Sequence, residues 1–224
     1  MSDQSVGSQL GAQDRRHFDR LVNFTDAVVA IGITLQLLPL IDVPGPTSGE
    51  TVWTVIGNNS GQITAFLLSF VVVIAMWAAH NRSFNVLQRA DGTIFALNVM
   101  WLAAIVFLPW PTSMYGNAVN DQVVGPGGVG LLYWWTLALI SGLGSLIAIH
   151  ASRHPELLEP DARGIFAARQ RGRQAIGALF FVSFVMVGVF SEFEPAIAPY
   201  LAFLLIPAGV LVRRRLEKVG VSHE

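Results

Sequence analysis

Asp26 is the residue whose chemistry most needs an account. It stands about two turns into an apolar run, Phe18–Leu40, near the N-terminus. A carboxylate at that depth in lipid is costly and normally faces a protein interior or water, with a partner. Arg20, about one and a half turns back, and His80, at the end of a later apolar run, are candidate partners. Asp26 then either ties its helix to a neighbour or meets an ion directly, and spacing leaves both open. Further along, Ile31, Leu35 and Leu38 fall at i, i+4 and i+7 and form one stripe. Such a stripe serves helix packing, lipid contact or pore lining. Thr34 flanks it with a hydroxyl that can bond its own helix or be offered to an ion. Gln36 adds a polar side chain at unusual depth.

Other spacings carry less. Gly125, Gly127 and Gly130 spell G-x-G-x-x-G, but a dinucleotide site needs a strand before it and a soluble βαβ unit around it. His150 and His154 have metal-ligand spacing without the adjoining Glu of H-E-x-x-H, and read as interfacial histidines. The chain has no cysteine, which excludes disulfides, thiolate metal sites and thiol nucleophiles. It has no Walker A motif and no T-V-G-Y-G filter, which removes ATP-driven transport and the ordinary potassium-channel pore loop. No cluster of catalytic polar residues lies within the later spans, so no enzyme activity, cofactor or resident metal is expected.

The elements that position these residues follow from composition. Of the 224 residues 53% are hydrophobic and 13% charged, against about 25% charged in a soluble domain; mean hydropathy is +0.54. That indicates an integral membrane protein. Six runs approach the length of a spanning helix, about 17–25 residues: Phe18–Leu40, Ile63–Ala79, Ile94–Trp110, Val129–Ile149, Ala175–Phe190 and Ala196–Val212. Backbone groups cannot go unpaired in lipid, so these are helices, and the fold class is all-α with six transmembrane helices per subunit. All 14 Lys and Arg sit before or at the N-terminal start of the first run, between runs 2 and 3, between runs 4 and 5, or after run 6; the other three loops carry Asp42, Glu50, Asp121, Glu192 and Glu194. The positive-inside rule then puts both termini in the cytoplasm of a cell-membrane, multi-pass protein. Residues 1–17 read as a cytoplasmic tail, disordered over Met1–Asp14; 18–212 as the six-span domain; 213–224 as a basic cytoplasmic tail. Pro155–Arg173 reads as a surface helix, and Trp110, Trp134, Trp135 and Tyr200 as interface anchors. A net charge of −1 argues against nucleic acid as a partner.

Arg20-x-x-x-Phe24-Thr25-Asp26, followed by Ala30-Ile31-x-x-Thr34-Leu35, resembles the first-span signature of the lysosomal potassium channel family, transmembrane protein 175, and its bacterial members. Trp77-x-x-His80-x-x-x-Phe84, Asn98 and Leu108-Pro109-Trp110-Pro111 resemble the same family's second and third spans. The family usually has Ser at the position of Thr25, and the hydroxyl is kept. The likeness covers residues 20–111 and implies a potassium-selective cation channel without a pore loop, whose pore is lined by the first span. A single repeat per chain implies a homotetramer in membrane lipid, with K+ as the permeant ion. By position, Ile31 would form the narrowest apolar ring, with Leu35 and Leu38 lining the pore outward from it and Thr34 at the position linked to selectivity. Arg20, Phe24, Thr25, Asp26, Trp77, His80 and Asn98 would form a polar network anchoring the first span. The competing reading is a proton-coupled secondary transporter using Asp26 and His80 as a relay; the second half shows no repeat of the first-span motif, as internal duplication would require.

Overall fold

The computed structural model describes residues 2–121, 127–194, 197–198 and 200–201. The expected sixth span, most of 196–212, and the tail 213–224 lie outside the described residues. The chain runs α1 (Ser2–Leu35), α2 (Leu38–Ile41), α3 (Val52–Asn58), α4 (Ser60–Phe84), α5 (Gly92–Phe107), α6 (Pro109–Asn120), α7 (Val129–Arg153) and α8 (Arg163–Ser191), with two 3₁₀ turns before α8. Among the described residues there is no strand, only an isolated bridge between Leu87 and Leu158. Five stretches there are long and apolar enough to cross a membrane: Gln13–Ile41, Ser60–Phe84, Gly92–Asn120, Val129–Arg153 and Gln174–Ser191.

Several boundaries differ from the sequence reading. Helix α1 continues back through Met1–Asp14 to Ser2, so the tail is not irregular; it contains no proline to stop a helix that the first span has already nucleated. The stretch Pro155–Arg173 is not a separate surface helix. It forms two 3₁₀ turns and then the first part of α8, which continues without a break into the fifth span. The third span reaches Asn120 and is divided at Leu108, because Pro109 has no N–H to continue the α5 ladder and instead starts α6.

Two clusters hold the helices together. The larger packs Trp101, Ile105, Leu137, Ile140, Tyr133, Trp134 and Phe184 from α5, α7 and α8 against Leu68 and Val73 of α4. The smaller, where α1 enters the bundle and α4 leaves it, packs Phe18, Phe84, Leu87, Ile94 and Ile147. Trp134 is wholly buried against Tyr115, Tyr133 and Phe184, and so is a core residue rather than an interface anchor; Trp110, Trp135 and Tyr200 are exposed. Helix α1 packs on α5 and α4. Its closest approach is at Gly32, where an added Cβ would lie 2.8 Å from the branched Cγ2 of Ile105. Glycine is therefore a packing residue at that crossing.

Candidate functional site

Helix α1 has two unlike faces. One is buried: Phe18, Thr25, Val29, Gly32 and Gln36 recur at intervals of three, four or seven residues and turn into the bundle. Hydrogen bonds lock that face. Asn98 of α5 donates from Nδ2 to Thr25 Oγ1 at 2.8 Å, and its Oδ1 accepts from His80 Nε2 at 2.9 Å. The His80 ring lies between Phe84 and Trp101, each with its centroid 4.2 Å away. One residue beyond Thr25, Asp26 Oδ1 accepts from Trp77 Nε1 of α4 at 2.8 Å. Among the described residues the hydrogen-bond partner of Asp26 is thus an indole N–H rather than Arg20 or His80.

Five of the seven residues assigned to the network by resemblance are joined in this way: Thr25, Asp26, Trp77, His80 and Asn98. Arg20 and Phe24 are not. Both are exposed, and Arg20 has no hydrogen bond or ion pair among the described residues. The reason is angular: on a helix turning about 100° per residue, positions 20 and 24 point away from 25.

The second face is exposed along its length. Phe24 (60% exposed), Ala27, Ile31 (57%) and Thr34 follow one another at intervals of three or four on α1, and Leu38 at the start of α2 is also exposed. Leu35 does not belong to it. It is half-buried, and α1 ends there; Gln36 and Leu37 close a tighter turn through bonds to the carbonyls of Ile33 and Thr34. Of the three expected stripe residues, then, Ile31 and Leu38 are exposed and Leu35 is half-buried. The Thr34 hydroxyl donates to the Ile31 carbonyl at 2.8 Å, which leaves its oxygen lone pairs facing outward. Gln36 is buried at the turn, with neither amide atom paired among the described residues.

Contacts that sequence reasoning missed flank this helix. Asp91 caps α5 by accepting from the Ile94 N–H (2.8 Å) and meets His150 Nε2 of α7 at 2.7 Å, so His150 is a tie between helices rather than a loose interfacial residue. Burial alone would raise the Asp91 carboxyl, but the bonds from Ile94 and His150 and the nearby His150 and His154 charges outweigh it and leave its pKa lowered. Deeper in, Ser69 of α4 lies 3.0 Å from the Thr112 hydroxyl of α6 and 2.9 Å from Tyr133 OH of α7. At the glycine-rich segment, Gly128 takes a positive φ of 72°, and Glu192 accepts from the Gly128 and Leu131 N–H groups. That carboxylate fills the N-terminus of α7, where a phosphate would have to bind in a nucleotide site.

The same first three spans are where known proteins are similar. Residues 20–109 match the profile of the family described as "Endosomal/lysosomal potassium channel TMEM175". Over this segment the chain is similar to the TMEM175 family. A relative from Streptomyces collinus, named a potassium channel, is 26% identical over 195 residues, covering 84% of this chain and 93% of its own length. The zebrafish relative, named an endosomal/lysosomal proton channel TMEM175, is 28% identical over 158 residues, and the chain spans only 29% of its length. A crystal structure of a TMEM175 homologue from Chamaesiphon minutus, described as lysosomal potassium-selective, superimposes with a TM-score of 0.66 at 23% identity, covering 88% of this chain and 98% of the other. The TMEM175 fold is therefore shared across the whole neighbour, while the TMEM175 profile itself matches the segment that carries both faces of α1.

Proposed function

We propose that the chain is the subunit of a potassium-selective cation channel in the cell membrane, with both termini cytoplasmic. Four copies place the exposed face of α1 around a common axis. The observation that carries this is the division of α1: Thr25 and Asp26 bind one side to α4 and α5, while Phe24, Ala27, Ile31 and Thr34 present an unbroken outward stripe. One helix cannot enclose a conduit, whereas four can. Ile31 forms the apolar constriction and stops ions by dewetting, since a cation cannot exchange its hydration shell for methyl groups. Leu38 continues the lining outward; Leu35, half-turned to the bundle, contributes at most its edge. Thr34, whose proton is engaged by Ile31, offers an oxygen to a passing cation one turn from the constriction.

The relay reading is weaker on geometry. Asp26 is held by an indole N–H, which donates but cannot accept a proton, and His80 is bonded to Asn98 instead of Asp26. The test is flux of purified protein in liposomes under potassium, sodium and proton gradients. Potassium flux that follows its own gradient without a counter-ion supports a channel; obligatory exchange for protons overturns it. In the same assay Ile31→Asn hydrates the constriction and raises leak, and an unchanged flux would remove Ile31 from the pore.

A further inference from the structure

The apolar stripe of α1 continues at its N-terminal end into charge. Helix α1 is unbroken from Ser2 to Leu35, so the angular register at Ile31 carries down to the tail. At about 100° per residue, Arg20 lies about 20° from the direction of Ile31 and Arg16 about 60°, on the same side as Phe24 and Ala27. Both arginines are exposed, and neither has a hydrogen bond or ion pair among the described residues. The acids of this stretch point elsewhere: Asp14 and Asp19 stand at least about 100° round from Ile31. Asp19 lines a side cavity of about 420 Å³ with Arg15 and Glu159, and Arg15 is neutralised there by Glu159 at 2.9 Å. His17, exposed, flanks the arginines. From Gln13 to Ile31 the inward continuation of the stripe thus carries only positive fixed charge.

We propose that Arg20, with Arg16 one turn below, faces the lumen and forms a ring of guanidinium groups at the cytoplasmic mouth that slows cation entry from that side. The proposal rests on the channel reading and deepens it. Rings of basic side chains oppose cations just as acidic rings attract them, and a guanidinium keeps its charge at every accessible pH. In a four-fold assembly each arginine position supplies four such charges. Their field reaches about 8 Å at physiological ionic strength and about 3 Å at 1 M, so the barrier is strong in dilute salt and nearly absent in concentrated salt. The channel then rectifies at low salt, passing less potassium outward than inward.

Single-channel recording in planar bilayers tests this, in symmetric potassium chloride from dilute to molar. R20Q is expected to raise outward current by about 2- to 5-fold in dilute salt and to converge with the parent near 1 M. R20K keeps the rectification, and R16Q shows a smaller gain. Because the chain has no cysteine, R20C can be modified from the cytoplasmic side: a cationic methanethiosulfonate restores the low outward current and an anionic one raises it further. Rectification unchanged in R20Q, or R20C current indifferent to the sign of the reagent, overturns the ring. So does an R20Q that fails to assemble alongside an R16Q with parental current, since Arg20 would then be a tie between subunits. Ile31→Asn recorded in parallel separates the two ideas: if it alters conduction while the arginine variants do not, the pore stands and the charge ring falls.

Discussion

Asn98 has both ends of its amide engaged, with the oxygen on His80 and the nitrogen on Thr25, and all three residues are buried. Replacing it by leucine keeps the volume roughly constant and strands a ring N–H and a hydroxyl in an apolar interior. Each stranded group costs about 1–3 kcal/mol, so Asn98→Leu is expected to lower stability by about 2–5 kcal/mol, read as earlier thermal loss of assembled protein in detergent. Ion preference in the surviving assemblies should not change, because Asn98 lies on the bundle side of α1. Thr34 gives the opposite pattern. Thr34→Ala removes an exposed oxygen whose hydrogen bond among the described residues goes to the Ile31 carbonyl of its own helix, so folding is spared while the potassium-to-sodium permeability ratio falls toward one in bi-ionic reversal potentials. A ratio left intact would take Thr34 out of the conduction path. The aspartate itself was legible because a charge inside an apolar run needs a partner; which partner was not. Trp77 lies 51 positions away from Asp26, and no local spacing rule connects them.

Between elements, ties at helix ends set how α5 and α7 sit. Asp91 caps α5 and pairs with His150 near the end of α7. Since the folded-state pKa of Asp91 is lowered from its ordinary 3.8, the unfolded chain binds this proton more readily than the folded one. The stabilisation from this carboxylate is therefore complete above about pH 4 and is lost as the pH falls through the lowered value. Melting curves of the parent and Asp91→Asn are expected to differ at neutral pH and to approach each other as the pH is taken below about 4. A gap that stayed constant would mean the aspartate acts by packing. The expected third span ended at Trp110, just past Pro109. The structure instead carries the helix on as α6, and Asn120 of that extension accepts from the Gly61 N–H at the start of α4 at 2.6 Å.

For the whole molecule, large apolar side chains are exposed on nearly every helix: Leu67 and Val71 on α4, Phe95 and Val106 on α5, Leu139 and Leu146 on α7, Val182 and Met186 on α8. Lipid covers such surfaces in a membrane, so exposure by itself does not mark the pore. What distinguishes α1 is that its exposed line includes Thr34 and small Ala27, and ends in Arg20, which has no ion pair among the described residues. Native mass spectrometry of protein released from nanodiscs is expected to give four chains, and Ile31→Cys should cross-link copies to one another across the axis. Monomers, or cross-linking absent while assembly persists, would place α1 at the lipid perimeter.

Hydrophobic length and charge are properties of position along the chain, and they determined on their own that this is a helical membrane protein and roughly where five of its spans lie; the motif on the first span was legible by its resemblance to the TMEM175 family. Helical register grouped Ile31 with Leu35 and Leu38 but left open whether that stripe packs, meets lipid or lines a pore, because a period of 3.6 is local. Contacts between helices distant in sequence are not local. Only the packed bundle decided that Asp26 would meet Trp77, that Trp134 would be core, that Arg20 would stay outside the network and that Leu35 would turn half inward. The backbone leaves α-helical geometry just after Leu35, and the residues beyond it no longer keep the angle that their numbering predicts.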